Sequence, residues 1–129
     1  MTLEGVRNIC RALPGVTEDV KWGHILVFSV WQKMFVVVDL DPPHSLAFKC
    51  TADTFVELIE RPGLSPSPYL ARVMWVQEAE LGSVLGRREL EQLLVTAYEL
   101  VRATLPKSKQ PAAIGGSGTP RTAARRSET

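Results

Sequence analysis

WGHILVFSVWQKMFVVVDLDPPHSLAFKC, residues 22–50, holds three apolar runs of β-type residues joined by connections short enough for hairpins. In residues 25–31, Leu26, Phe28 and Val30 alternate with Ile25, Val27, Ser29 and Trp31, the period of a strand. Gly23-His24 just before it reads as a two-residue hairpin turn, because glycine supplies the positive φ that a type II′ turn needs at its first position. A second tight connection, Gln32-Lys33, leads into residues 34–40. There Met34, Val36, Val38 and Leu40 fall on one face and Phe35 and Val37 on the other, so this strand is expected at the centre of a sheet. Asp41-Pro42-Pro43-His44 is a turn, since two prolines remove two ladder donors. Residues 45–50 then return, with Leu46, Phe48 and Cys50 opposite Ala47 and Lys49. With residues 16–22 as a preceding strand, the pattern is an antiparallel meander.

On either side of this spine the period changes to that of helices. Leu3, Val6, Ile9, Cys10 and Leu13 line one side of residues 2–13, with Thr2 as cap, Glu4 in the first turn and Pro14-Gly15 as a stop. In residues 51–61, Ala52, Phe55, Leu58 and Ile59 form a stripe that Thr51 opens and Pro62-Gly63 closes. Residues 64–69, with Pro66 and Pro68, read as an ordered loop, and residues 73–77 as one more short strand containing Trp75. The pattern over residues 80–86 selects no element. The longest periodic segment is residues 87–105, where Leu90, Leu93, Leu94, Ala97, Tyr98, Val101 and Leu105 share a face between Gly86 and Pro106. The expected fold is therefore α+β: an antiparallel meander packed against an N-terminal helix, a middle helix and a long C-terminal helix.

Through Pro106 the chain has 10 Lys/Arg against 13 Asp/Glu; beyond it the count is 5 against 1, and the whole 129-residue chain carries +1. Residues 1–106 are thus expected to form one mildly acidic domain, and the Ser/Gly/Pro/Arg-rich residues 107–129 a disordered basic tail. No apolar run nears the roughly 18 residues that span a bilayer, and the first helix carries Glu4, Arg7 and Arg11. A cytoplasmic protein without membrane contact, monomeric by default, is the expectation. Cys10 and Cys50 lie in no metal-type spacing and each sits on an apolar face, so two reduced, buried thiols are expected.

Motifs that carry chemistry are absent from the sequence. It has no P-loop, GxGxxG, GxSxG or HExxH, hence no catalytic residues, no metal site and no cofactor to assign. His24 and His44 are expected in tight turns. The pairs Asp39/Asp41 and Glu78/Glu80 are expected to be solvent-facing residues near strand ends, although paired carboxylates could also take a cation. Cations and aromatics gather at predicted strand ends. Lys21, Lys33, Lys49 and Arg72 are candidate contacts to nucleic-acid phosphates, and Trp22, His24, Tyr69 and Trp75, with Arg72, are candidates to line a pocket.

The motifs themselves resemble a known family. Leu13-Pro14-Gly15-Val16-Thr17-Glu18 followed by Trp22-Gly23-His24, then Lys33-Met34-Phe35, Leu46…Lys49-Cys50, Pro68-Tyr69-Leu70-Ala71-Arg72…Trp75-Val76 and Tyr98-Glu99-Leu100-Val101…Leu105-Pro106 are similar, in order, to the MmcQ/YjbR-like proteins. The resemblance spans residues 1–106. It implies a compact α+β domain, similar to the double-wing DNA-binding domain of a phage transcription activator, and with it a DNA-binding label; it supplies no catalytic residues. Two functions follow as expectations: a non-enzymatic DNA-binding module working through the basic residues, or a small-molecule or protein-binding domain with a pocket near Trp22, Tyr69, Arg72 and Trp75. An enzyme ranks third.

Overall fold

The computed structural model of the chain describes residues 1–68, 70 and 73–110. Its elements run α1 (Leu3–Arg11), β1 (Val16–Lys21), β2 (Ile25–Val30), β3 (Lys33–Asp39), β4 (Leu46–Lys49), α2 (Ala52–Leu58), β5 (Leu64–Pro66), β6 (Trp75–Glu78) and α3 (Arg87–Arg102). The six strands form one antiparallel sheet in the order β1-β2-β3-β4-β6-β5. The first four are the expected meander. After β4 the chain passes through α2, enters the sheet at its far edge as β5, and returns as β6 between β5 and β4.

Residues 64–69, expected as a loop, thus supply the edge strand β5. Its prolines do not prevent this, because an edge strand needs donors on one side only and Pro66 lies at its last position. The last strand is Trp75–Glu78, not 73–77. Between β1 and β2 the loop has three residues, Trp22 to His24, not two, since Lys21 pairs with Ile25. Trp22 and Gly23 both take positive φ there, at 55° and 84°.

The helices cover one face of this sheet. Thr2 caps α1 by accepting from the Gly5 N–H at 3.0 Å, and Thr51 caps α2 by accepting from the Thr54 N–H at 3.2 Å. Arg7 and Arg11 clasp Glu18 of β1, their Nε atoms 2.9 and 2.7 Å from its carboxylate, and so fix α1 to the sheet edge. α3 lies over β2, β3 and β4 and against α1. Leu26, Phe28 and Val30 of β2, Val36 and Val38 of β3, Leu46 and Phe48 of β4 and Val76 of β6 meet the helices on that side.

Simple alternation along β3 fails at one point. The register shifts between Phe28 and Ser29, Phe28 pairing with Val36 and Ser29 with Met34, so Phe35 is an extra residue in a β-bulge. Phe35 consequently joins Val36 in the core, fully buried, while Met34 moves to the opposite face with Val37. Its ring meets Tyr98 edge-on, centroids 5.6 Å apart and planes at 77°. The Tyr98 hydroxyl donates to the Pro14 carbonyl and ties α3 to the α1–β1 turn.

Residues 80–86, which showed no sequence pattern, are organised by Glu78. Its carboxylate is 0 % exposed, not solvent-facing as expected. It accepts from the backbone N–H groups of Gly82 (3.0 Å), Val84 (3.0 Å) and Leu85 (2.7 Å). The segment closes over the N-terminus as well, because a Cβ on Gly82 would stand 2.8 Å from the Met1 carbonyl oxygen.

Cys10 and Cys50 are free and buried, as expected. Burial pushes the Cys10 thiol up to about 12, helped by the Glu18 charge, and Cys50 up to about 11 against a small opposing pull from Lys49. Both thiols stay protonated at neutral pH and are poor nucleophiles. Native protein at pH 8 should leave both unmodified by an aromatic disulfide reagent over minutes and yield both in denaturant; native labelling at the rate of a free thiol would contradict this burial. Past α3, Lys107–Lys109 form one 3-10 turn. Residues 111–129, most of the expected tail, lie outside the described residues.

Candidate ligand groove

The face of the sheet away from the helices is not a polar, solvated surface. The register carries one row of side chains straight across it: Val27 opposite Val37, Val37 opposite Ala47, Ala47 opposite Gln77. Val27 is 1 % exposed and Ala47 5 %, although the described helices pack on the opposite face. A neighbouring row places Ile25 opposite Asp39. Along one side the chain after β5 rises over this face, Ser67 donating its N–H to the Trp75 carbonyl at 2.9 Å and the Leu70 carbonyl accepting from the Trp75 N–H at 3.3 Å. On the other side stands Trp22, held out by the positive-φ turn and 70 % exposed. Between them lies a groove of about 520 Å³, floored by Ile25, Met34, Val37 and Ala47, walled by Trp22 and by Pro68 and Leu70, with Asp39 and Ser45 at one end.

That end carries a polar cluster. The backbone N–H of Leu40 donates to the His24 carbonyl at 2.8 Å, bringing the β1–β2 loop onto the end of β3. His24 Nδ1 then sits 3.1 Å from Asp39 Oδ1, which also accepts the Asp41 backbone N–H at 2.9 Å. The Asp41 N–H, and after it His24, hold the Asp39 carboxyl below the ordinary carboxylate range. Donor atoms of His24, Asp39 and Asp41 lie within 4.8 Å of one another, an imidazole and two carboxylates that present their charge together. His44 faces the same strand end, its Nδ1 3.0 Å from the Asp39 carbonyl oxygen.

Of the residues expected to line a pocket, Trp22 forms a wall and His24 the rim. Trp75 lies on the same face, opposite Lys49, but is 3 % exposed and packed. Tyr69 and Arg72 lie outside the described residues. The three described phosphate-contact candidates do not come together. Lys21 ends β1 where β2 begins, whereas Lys33 and Lys49 sit at the opposite ends of the strands, about 20 Å away for strands of this length. Lys33 pairs with Val30 on the helix side, while Lys21 and Lys49 belong to the groove side. Lys49 spends its Nζ on the Val73 carbonyl at 2.9 Å, and Lys21 stands 4.0 Å from Asp19.

Fold and groove together define a small antiparallel α+β domain with a ligand-sized cleft on the sheet face opposite its described helices. The chain belongs to the YjbR family, whose model matches residues 11–100. A crystal structure of a Deinococcus radiodurans protein with a DUF419 domain is similar to it, with 25% identity and a TM-score of 0.75, covering 84% of each chain. A Pseudomonas syringae protein shares the fold at 17% identity and a TM-score of 0.66, over 78% of this chain and 99% of its own. No curated protein matches the chain.

Proposed function

We propose that this protein binds a small, largely apolar ligand in the groove on the sheet face opposite its described helices. What supports the reading most is the run Val37–Ala47–Gln77 with Ile25 and Met34, on the sheet face opposite the described helices, enclosed by Trp22 and Pro68 into a cleft of about 520 Å³. Cleft size, apolar floor and a few converging polar groups are the usual attributes of a small-molecule site. Both cysteine thiols are buried and protonated, so neither is an activated nucleophile.

Ala47 offers a direct test, because its side chain enters the groove and not the helix-covered core. Nile red, a neutral apolar dye, should show saturable fluorescence enhancement with the wild-type protein and lose most of it with Ala47→Phe at unchanged thermal stability. Equal enhancement by both proteins, or none by the wild type, would count against a groove site.

DNA contact stands as a second reading, supported by one observation away from the groove. Lys109 Nζ lies 4.9 Å from the centre of the Trp31 ring, which is 45 % exposed at the turn leading into Lys33, and the basic residues 111–129 continue from there. Contact through that end would be mostly to phosphates, so duplex affinity should fall steeply between 50 and 200 mM salt, by about a thousandfold for six contacts. A salt-independent mobility shift, or none at micromolar protein, would exclude it.

A further inference from the structure

We infer that the groove takes a ligand with an apolar body and a positively charged amine or ammonium head, the head seated between Asp39 and the Trp22 ring with the Asp41 carboxylate close behind Asp39. The inference rests on the groove being the binding site and adds the chemistry of its occupant. Asp39 is the single ionisable side chain among the described residues that line the groove, and no described lining residue is cationic. Its Oδ1 is engaged by His24 and by the Asp41 N–H, whereas Oδ2 has no hydrogen-bond partner among the described residues, and neither has the Asp41 carboxylate. Asp39 therefore presents a free acceptor oxygen at one end of the cleft, and the Asp41 carboxylate lies beside it, within 4.8 Å and just outside the lining.

The Trp22 indole completes the arrangement. An exposed aromatic wall beside carboxylates suits an ammonium group, attracted both by the ring face and by the charges. Lys21 belongs to the same row, opposite Ile25, and is the described cation placed to compete; its Nζ stands 4.0 Å from Asp19, two residues back on the same face of β1. A carboxylate-headed ligand of the same length would meet like charge here, and an alcohol would leave Asp39 Oδ2 without an ionic partner.

Octylamine, 1-octanol and octanoate share one tail and differ in the head, so displacement of Nile red by each from the full chain separates the two questions. Octylamine should displace the dye at about a tenfold lower concentration than 1-octanol, with octanoate the weakest. In the Asp39→Asn/Asp41→Asn double variant the amine's advantage should shrink to about twofold or less, with dye affinity itself retained. Asparagine at 39 still accepts the Asp41 N–H, and Asp41→Asn alone, outside that hydrogen bond, should remove part of the advantage. Equal displacement by amine and alcohol in the wild type, or an amine preference that survives both substitutions, overturns the assignment of the head while leaving the groove standing. Failure of all three to displace a dye that Ala47→Phe still binds would instead remove the groove itself.

Discussion

Glu78→Ala should lower the unfolding midpoint by about 15 °C. The wild-type carboxylate is fully buried and accepts three backbone N–H groups, from Gly82, Val84 and Leu85. Truncation strands those donors, and an unsatisfied buried donor costs about 1–3 kcal/mol, more where the lost partner was charged. Allowing water to reach Gly82 and Val84, the loss is about 3–4 kcal/mol, and a domain of this size shifts by roughly 4 °C per kcal/mol. Glu78→Gln keeps the volume and one acceptor oxygen, so it should fall between wild type and alanine. Thermal unfolding followed by circular dichroism checks the series. A shift of about 2 °C or less for Glu78→Ala is what a solvent-facing strand-end glutamate would give, and it would contradict the buried arrangement.

Phe35→Ala should be of similar size, a loss of about 3–5 kcal/mol, whereas Met34→Ala should cost about 1 kcal/mol. The contrast follows from the bulge. Phe35 is 0 % exposed and packs edge-on against Tyr98, so its removal leaves a cavity between β3 and α3. Met34 looks into the open groove, where neighbouring side chains and water can take its place. A strand with strict alternation would place these neighbours the other way round. Urea unfolding of the two variants decides it: equal or reversed costs would mean that β2 and β3 pair without the extra residue.

How far the sequence could be read depends on the range of the interaction involved. The four-strand meander and the three helices follow from periodicity and stop signals, which are local, and residues 25–50 carry both in full. The bulge at Phe35 does not, because Met34-Phe35-Val36-Val37-Val38 is apolar in every position and gives no phase to count from. Residues 64–66 read as a loop through their prolines, and nothing in the segment says that it will lie at a sheet edge, where a missing donor does no harm. Glu78 looks the same in sequence whether it faces water or a ring of backbone N–H groups; its partners lie four to seven residues on, in a stretch with no periodicity.

The candidate site divides in the same way. Trp22 and His24 were identifiable as bulky residues beside a turn, but their meeting with Asp39 depends on the Leu40–His24 backbone bond across the sheet. Val37, Ala47 and Gln77 carry no signal of their own, and become a site through the strand order that aligns them. The scatter of the lysines, by contrast, was legible: Lys21 closes one strand and Lys33 opens the next but one, so an antiparallel meander must set them at opposite ends.

The groove assignment is tested most directly by following the amide resonances of isotopically labelled full-length protein during titration with octylamine, and separately with a short DNA duplex. Octylamine should shift the amides of Ile25, Val37, Asp39, Ala47 and Gln77 together and saturably, leaving α3 and the Trp31–Lys33 turn unmoved. Shifts confined to the Trp31–Lys33 turn and Lys107–Lys109 with duplex, with none along the Val37–Ala47–Gln77 row for octylamine, would contradict it.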